Sequence, residues 1–322
     1  MSELRTDQPG AAALGAALRR LVGERAVLTC LGASAWPAVP AAAVARPMPA
    51  PCPPAALPIW LLVGGRAVDA AAAARALGPA ATGLAACGLV VADGGEVRAT
   101  AAVAALGAGV VVCDRLDAPA TPDLVPWPDD SSLHLLGALP PGRLGAWLDV
   151  GTGAAIAPLA AGPRAARVRA TDVNPRALAR AAAGAALSGR ADLELAAADL
   201  LAGAGPGWDL ITFNAPIPGG DPRLPVWRHG AADVLARFWA AAGDHVAPGG
   251  EVLVHARIDD DPWPVHAGRP GAVVIARYTP PGQPGFAVTR WVPGAPPARV
   301  VIDVALGRDR PFVTRADLAL PP

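Results

Sequence analysis

From residue 146 onward, short apolar runs alternate with helix-like stretches, and this alternation restricts the possible folds more than any other feature of the sequence. The runs at 146–150, 168–173, 191–199, 208–214 and 249–258 have the length and composition of strands. Strands joined through helices run parallel, because each crossover returns the chain to the same end of the sheet. The sequence therefore predicts an α/β fold with a doubly wound, mostly parallel sheet.

Three more strand-like runs follow, at 272–280, 286–293 and 299–306. They are closely spaced and leave little room for crossover helices between them. We therefore expect these late strands to be antiparallel.

A boundary is predicted at 121–132, where Pro, Asp and Ser replace the apolar pattern. It divides the chain into an N-terminal domain over 1–125 and a second domain over 126–322. With 322 residues, the chain has the length of one large domain, or of a large domain with a smaller one.

The N-terminal domain is predicted to be a smaller α+β unit. Its helix-like segments lie at 11–23, 68–79 and 81–88, its hairpin at 89–100 and a further strand at 109–114. Two helices followed by a hairpin are typical of a winged helix. The Pro-rich stretch 36–58 predicts a loop or extended connector rather than a regular element.

Charge gives no sign of a nucleic-acid partner or of an anionic membrane. The formal net charge is +0, and residues 1–125 contain nine Arg against nine acidic residues. A winged-helix-like module without a basic excess is more easily explained as a packing or substrate-covering unit. A small-molecule or protein partner is therefore favoured over nucleic acid, and the sequence leaves the oligomeric state open.

Missing residue types exclude several chemistries. All 27 basic residues are Arg, so there is no lysine for a pyridoxal-phosphate Schiff base or a P-loop. The four cysteines show no metal-ligand spacing and are predicted to be buried thiols, with no metal site. The N-terminus lacks a signal-peptide pattern, and no apolar run is long enough for a membrane span. We expect a cytoplasmic protein.

The stretch "LDVGTGAA" (148–155) carries the strongest chemical signal. An apolar strand ends in Asp149 and turns through Gly151 and Gly153 into a helix. Glycines let a ligand approach the backbone closely. A dinucleotide fold would place a third glycine where Ile156 stands and a pyrophosphate beside the acid. An acid at this position suits a cationic ligand better.

This stretch resembles the first motif of class I S-adenosylmethionine-dependent methyltransferases, an acid followed by x-G-x-G-x-G, with Ala155 in place of the last glycine. The resemblance covers roughly residues 140–260. It implies S-adenosyl-L-methionine as the cofactor, with S-adenosyl-L-homocysteine as the product. It also implies a Rossmann-like, doubly wound, seven-stranded sheet with antiparallel late strands. A winged-helix-like half before such a domain is similar to some bacterial two-domain relatives.

The resemblance assigns three acids to three parts of the cofactor. It places Asp149 near the ammonium end, Asp172 on the ribose hydroxyls and Asp199 at the adenine amino group. Asp172 follows Gly153 by 19 residues, a spacing that suits a ribose-binding carboxylate. The cofactor-binding residues implied in this way are Asp149, Gly151, Thr152, Gly153, Asp172, Val173, Asp199, Leu200 and Asn214.

The stretch "TDVNPRALARAAAGAALSG" (171–189) is similar to one found in methyltransferases that modify planar nitrogens. That subgroup includes the N5-glutamine and the ribosomal-RNA guanine-N2 methyltransferases. Their fourth strand ends in [DN]-P-P-[YF], of which the "NAPI" stretch at 214–217 is a degenerate form.

Methyl transfer is an in-line displacement, so positioning of the acceptor contributes much of the rate. The Asn214 carboxamide oxygen and a neighbouring carbonyl can hold an N–H group, while Pro216 stiffens the turn. We therefore predict Asn214 and Pro216 as catalytic residues, and Ala215 and Ile217 as substrate contacts.

The loop that follows offers two further candidates. His229 is a candidate general base or substrate ligand, and Trp227 a substrate contact that replaces the missing aromatic ring. We expect Phe213 in the core and His245 at a helix end. The remaining histidines show no partner pattern.

The residues leave the acceptor atom open. One reading is transfer to nitrogen of an amide or amine in a protein, nucleic acid or small molecule. Another is O-, C- or S-methylation of a specialised metabolite. An NAD(P) dehydrogenase and a non-enzymatic binding module are further alternatives.

Overall fold

The computed structural model describes residues 10–217, 230, 232–258, 269–280 and 282–320. Within them ten α-helices alternate with strands. The helices are α1 Ala11–Leu21, α2 Glu24–Leu31, α3 Val39–Ala45, α4 Leu57–Leu62, α5 Ala70–Leu77, α6 Ala80–Ala86, α7 Asp130–Ala138, α8 Ile156–Ala161, α9 Pro175–Ser188 and α10 Val234–His245. No single helix in the described residues is long and apolar enough to cross a membrane, although the bent pair 24–31 and 36–45 passes the same test by length and composition.

Thirteen strands form three sheets in the same residues. They are β1 Val68–Asp69, β2 Val90–Asp93, β3 Glu96–Ala99, β4 Ala102–Leu106, β5 Gly109–Cys113, β6 Leu144–Val150, β7 Ala165–Asp172, β8 Leu193–Ala197, β9 Trp208–Asn214, β10 Val246–Ile258, β11 Ala272–Tyr278, β12 Gly285–Val292 and β13 Ala298–Asp303. The large sheet has the order β13-β11-β12-β10-β9-β6-β7-β8.

The predicted α/β fold with a large, mostly parallel sheet is confirmed. In the series β8-β7-β6-β9-β10, each strand pairs in parallel with the next one. The count of seven strands is one short, because β13 pairs in parallel with β11 and adds an eighth strand at the edge.

The late strands are antiparallel only in part. β12 is antiparallel to both β10 and β11, so β11 and β13 run in the same direction as the central strands. The expectation failed because β10 and β11 are joined by residues 259–271. A connection of about a dozen residues is long enough to cross over to a parallel position. β12 then returns between them as a hairpin partner of β11.

The order of the central strands creates a crevice. The chain moves outward from β6 to β7 and β8, and then returns to place β9 on the other side of β6. Ligands of such sheets bind at this reversal, beyond the carboxyl ends of the strands. The ends of β6 and β9 carry the glycine turn and Asn214, so both motifs meet at the same edge.

The N-terminal region contains the predicted hairpin, formed by β2 and β3. β1 pairs with β3 and completes a three-stranded sheet with the order β1-β3-β2. The expectation of no regular element over 36–58 was wrong, because α3 lies inside this stretch and α4 begins in it. Pro40 and Pro58 lie in the first turns of these helices, where a missing backbone N–H breaks no helical hydrogen bond.

One apolar core extends across the predicted boundary. The cluster of buried side chains that contains Leu14, Leu18 and Val112 also contains Ala183 and Leu187 of α9. The β4–β5 hairpin and α1 both pack on α9. The alanines and the glycine of α9 allow this close approach, because their small side chains let the backbones of α1 and β5 come near the helix.

Candidate active site

The glycine turn after β6 has the open geometry that a bound ligand requires. Gly151 and Gly153 have φ angles of 61° and 57°, in the left-handed region. A Cβ added to Gly153 would meet no protein atom within 4 Å, so this part of the turn faces open space. Ala155 also has a positive φ, 54°, at the position where the motif has its third glycine.

Asp149 lies beneath this turn and not on the cavity wall. Its two carboxylate oxygens accept hydrogen bonds from Thr152 Oγ1 at 2.6 Å and Thr212 Oγ1 at 2.5 Å. Burial raises the pKa of Asp149 to about 6, against the lowering effect of these two hydrogen bonds. In this structure Asp149 holds the turn against β9, and its contact with the cofactor ammonium stays a prediction.

Asp172 lies at the end of β7 and lines the cavity. Its carboxylate accepts the Gly153 N–H and the Asn174 N–H, both at 2.8 Å. Burial raises its pKa, and these backbone hydrogen bonds oppose the rise. Each oxygen keeps further lone pairs, so the carboxylate can still accept from ribose hydroxyls.

Three of the predicted cofactor-binding residues, Val173, Asp199 and Leu200, lie outside the cavity lining. Val173 is an exposed apolar side chain next to Asp172. Asp199 is exposed and forms an ion pair with Arg237, and Leu200 follows it with a φ of 52°. The structure therefore does not bring these residues together with the glycine turn in one enclosed space.

The end of β9 forms the opposite wall. Asn214, Ala215 and Ile217 line the cavity, whereas Pro216 lies against Gly230. Phe213 points away into the core, where its ring packs 4.7 Å from that of Phe238, as predicted. Residues 214–217 therefore contain one polar side chain, that of Asn214, and no aromatic side chain.

A cavity of about 360 Å³ joins these two walls, a size typical of small-molecule sites. One end is formed by the glycine turn and Asp172. The other end adds Asp129 and Asp130 from the start of α7, together with Asn214. The linking segment 124–126 closes one side, so residues on both sides of the predicted domain boundary form the site.

Sequence reasoning missed several polar residues of this site, among them Asp129, Asp130 and Arg257 in the cavity lining and four residues grouped around Asn214. Ser131, His255 and Tyr278 line the cavity and join Asn214 through hydrogen bonds, and His134 stacks on His255. A histidine inside the apolar run of β10 and the one tyrosine of the sequence, at the end of β11, were the available signals. Both residues lie well beyond Asn214 along the chain and outside the motifs recognised above, so no motif marks them.

The two loop candidates, Trp227 and His229, lie outside the described residues. His245 is the last residue of α10, as predicted, with Nδ1 2.8 Å from the Gly205 carbonyl oxygen. The four cysteines are free thiols, of which Cys87 and Cys113 are buried.

Residues 127–259 match the family model described as Methyltransferase small domain. No curated protein gives a significant match to the chain.

Solved structures with a similar fold include three methyltransferases. A ribosomal protein L11 methylase from Lactobacillus delbrueckii subsp. bulgaricus is 22% identical, with 51% of this chain and 78% of that chain covered and a TM-score of 0.40. A predicted O-methyltransferase from Agrobacterium tumefaciens is 19% identical, with coverages of 54% and 85% and a TM-score of 0.40. The N-methyltransferase NodS from Bradyrhizobium japonicum WM9 is 18% identical, with coverages of 52% and 94% and a TM-score of 0.38. At these scores, none of the acceptors named for these proteins is carried over to this chain.

The family model matches less than half of the chain, but it covers the glycine turn, Asp172 and the end of β9. Segment 124–126 and Tyr278, which also line the cavity, lie outside the match. The open turn at Gly153 and the carboxylate of Asp172 beside it fit the cofactor of that family. With the family match over 127–259, they make this chain an S-adenosylmethionine-dependent methyltransferase.

Proposed function

We propose that this enzyme methylates the nitrogen of an amine carried by a small molecule or a protein. One observation carries the proposal: the acceptor end of the cavity is lined by the carboxylates of Asp129 and Asp130 and by the carboxamide of Asn214. These groups offer a dense set of hydrogen-bond acceptors within one small space.

An ionised carboxylate accepts hydrogen bonds and donates none. Arg257 also lines the cavity and is a hydrogen-bond donor. Next to the two carboxylates, a substrate that supplies donors fits best, and a neutral or protonated amine carries such N–H groups. A hydroxyl carries one, and a thioether or carbon nucleophile carries none. The lining thus favours nitrogen over the oxygen, carbon and sulfur acceptors that the sequence leaves open.

Asp130 is suited to take up the proton that an amine must lose. A protonated amine has no free lone pair, so it can attack a methyl carbon only after deprotonation. Asp130 is half-buried, and burial together with the neighbouring Asp129 raises its pKa. A base with a raised pKa accepts a proton more readily near neutral pH.

The cofactor supplies an electrophilic methyl group on a sulfonium. The chain's own contribution is to orient the acceptor, through Asn214 and the Ala215 backbone at the end of β9. Ile217 stands where the planar-nitrogen methyltransferases have an aromatic residue. The end of β9 therefore offers no ring for a flat base or amide, and the rings of Tyr278 and Phe286, which line the cavity, belong to other strands. An alkyl amine needs no ring at the end of β9, and we propose it as the nitrogen acceptor.

The N-terminal region supports a covering role. Its helix, strand, helix, helix and hairpin order (α4, β1, α5, α6, β2–β3) is similar to that of a winged helix. Its continuation at Leu124, Val125 and Pro126 borders the cavity. With nine Arg against nine acids over 1–125, a small molecule or protein is a better partner than nucleic acid.

The test is a transfer assay with methyl-labelled S-adenosylmethionine and a panel of alkyl amines, glutamine peptides, nucleosides, phenols and thiols. We expect label on an alkyl amine. Asp130→Asn should lower kcat for that amine by about 100-fold, since a general base contributes on this scale. The matched control, Asp93→Asn on the exposed β2–β3 hairpin, should leave kcat unchanged. Label on a phenol or thiol, with none on any amine, would overturn the proposal.

A further inference from the structure

We propose that Tyr278, His255 and Ser131 are positioning residues, which form with Asn214 and Asp129 one directional chain of hydrogen bonds that fixes the orientation of the Asn214 carboxamide. These five residues are called the relay below. The proposal rests on the proposed role of Asn214 in holding the acceptor.

The direction of the relay is set at its Asp129 end. Ser131 Oγ lies 2.6 Å from Asp129 Oδ1, and a carboxylate oxygen can only accept. Ser131 therefore donates its one hydroxyl proton to Asp129. The Asn214 group that lies 2.7 Å from the same hydroxyl must then be a donor, which is the Nδ2 amide group.

The remaining protons follow from this assignment. With Nδ2 facing Ser131, Asn214 Oδ1 faces His255 Nδ1 at 3.0 Å. This ring nitrogen must carry the proton, because a carbonyl oxygen cannot donate. Nε2 of the neutral ring then has a lone pair, and it accepts from the Tyr278 hydroxyl at 2.7 Å. Burial lowers the pKa of His255 to about 3, which keeps the ring neutral at physiological pH.

Burial makes this arrangement hard to reverse. His255 and Tyr278 are each 3% exposed, so water does not replace a lost partner. If the Asn214 carboxamide were turned over, its NH2 would face the His255 N–H. Its oxygen would face a Ser131 hydroxyl whose proton is already donated. Both hydrogen bonds would be lost together.

The sheet brings the central pair together. Asn214 and His255 are directly paired residues on the parallel strands β9 and β10. His134 packs behind them, with its ring stacked on that of His255 at 6.0 Å and 4.1 Å from that of Tyr278. Its Nδ1 accepts the Val313 N–H at 2.8 Å, so His134 supports the ring positions without joining the relay.

The relay has a consequence for catalysis. Asn214 Oδ1 uses one lone pair on His255 and retains a second one. An inverted carboxamide would present its NH2 group on the His255 side instead. That group cannot accept a hydrogen bond from the N–H of the substrate amine. By fixing the orientation, the relay maintains a hydrogen-bond acceptor at the end of β9.

The first test reads the His255 tautomer and needs no methyl acceptor. In ¹⁵N-histidine-labelled protein, wild-type His255 should show the Nδ1–H tautomer, with assignment from His255→Gln. Tyr278→Phe removes the donor to Nε2, so the ring should shift towards the Nε2–H form. S-adenosylhomocysteine should bind both proteins with Kd values within about twofold, because Tyr278→Phe leaves the glycine turn, Asp172 and Asn214 in place. An Nε2–H tautomer in the wild type would overturn the proposal.

The second test uses the amine identified in the transfer assay. Tyr278→Phe and Ser131→Ala should each lower kcat by about tenfold, with the KM for S-adenosylmethionine unchanged. The kcat of the double variant should be about the same as that of either single variant, because both changes release the same carboxamide. Effects that multiply would show two independent defects and contradict the relay.

Two further variants separate positioning from folding. His255→Gln can donate and accept at the same two ends, so it should retain more activity than His255→Leu. Ser188→Ala is the matched control for Ser131→Ala, since Ser188 Oγ bonds the Val110 backbone away from the cavity. It should change stability but not kcat. If the tautomers agree with the prediction while the methylated atom is not nitrogen, the proposed function fails and the relay stands.

Discussion

Arg180 Nη2 donates a hydrogen bond to Asp114 Oδ1 at 2.7 Å, with both side chains almost completely buried. Asp114 follows β5, whereas Arg180 lies on α9 of the methyltransferase domain. Arg176, one turn earlier on α9, donates to both oxygens of the same carboxylate. This buried ion cluster joins the region before the predicted boundary to the region after it.

Asp114→Ala should lower the free energy of unfolding by about 3–5 kcal/mol, because it leaves the buried Arg180 without its counter-charge. Burial alone would raise the pKa of Asp114, but hydrogen bonds from Arg176, the Val125 N–H and Arg180 outweigh it and lower the pKa. Urea unfolding at pH 7 measures the change. A loss below about 1 kcal/mol would show that the cluster does not hold the two regions together.

The contact between α1 and α9 depends on a glycine. A Cβ on Gly15 would collide with the Leu187 carbonyl oxygen, which belongs to backbone and cannot move aside easily. Gly15→Ala should therefore destabilise the protein by about 1–3 kcal/mol, as overpacking does. The matched control is Gly243→Ala in α10, where the new Cβ meets only Trp291 at an ordinary 3.4 Å. That change should stabilise the helix by up to about 1 kcal/mol, since alanine is the better helix former. Thermal unfolding of both variants compares them, and equal shifts would contradict the packing argument.

Asp172→Ala should weaken S-adenosylhomocysteine binding by about 10- to 100-fold. The change removes the carboxylate that holds the Gly153 N–H and that is expected to bind the ribose hydroxyls. Isothermal titration calorimetry measures the affinity. Asp192→Ala, an exposed carboxylate paired with Arg190, is the control and should bind as the wild type does. Unchanged affinity in Asp172→Ala would remove this residue from the cofactor site.

Two buried histidines should make the protein sensitive to acid. Burial lowers the pKa of His255 and of His134 to about 3, from 6.5. Below pH 6.5 the unfolded chain binds protons that the folded protein does not, so stability falls as the pH falls towards 3. Each histidine contributes about 1.4 kcal/mol per pH unit in this window. Asp149 acts in the opposite direction between pH 6 and 3.8, because burial raises its pKa to about 6.

The variant His255→Gln removes the proton that His255 takes up on unfolding, and leaves that of His134. Its free energy of unfolding should fall less steeply than that of the wild type between pH 6 and 4, by about 1.4 kcal/mol per unit. Urea titrations at pH 7, 6, 5 and 4 give both slopes. Parallel slopes would mean that His255 is protonated in the folded protein.

Much of the architecture could be predicted because its signals are local. Every strand of the large sheet was predicted from its own apolar run, and the Gly151–Gly153 turn from the glycines in it. The directions of β11 and β13 were not predicted correctly, since no local sequence signal distinguishes a hairpin from a crossover. The helix that contains Pro40 was missed for a related reason: proline excludes a helix interior but is accepted in its first turn.

The sequence by itself determined the sheet, the glycine turn and the position of Asp172 and Asn214 at strand ends, because periodicity and turn chemistry act over a few residues. Only the tertiary structure decided what surrounds Asn214. Its partners are 83 residues before it, at Ser131, and 41 residues after it, at His255. Such contacts arise from the pairing of β9 with β10 and the docking of α7, and no spacing along the chain encodes them.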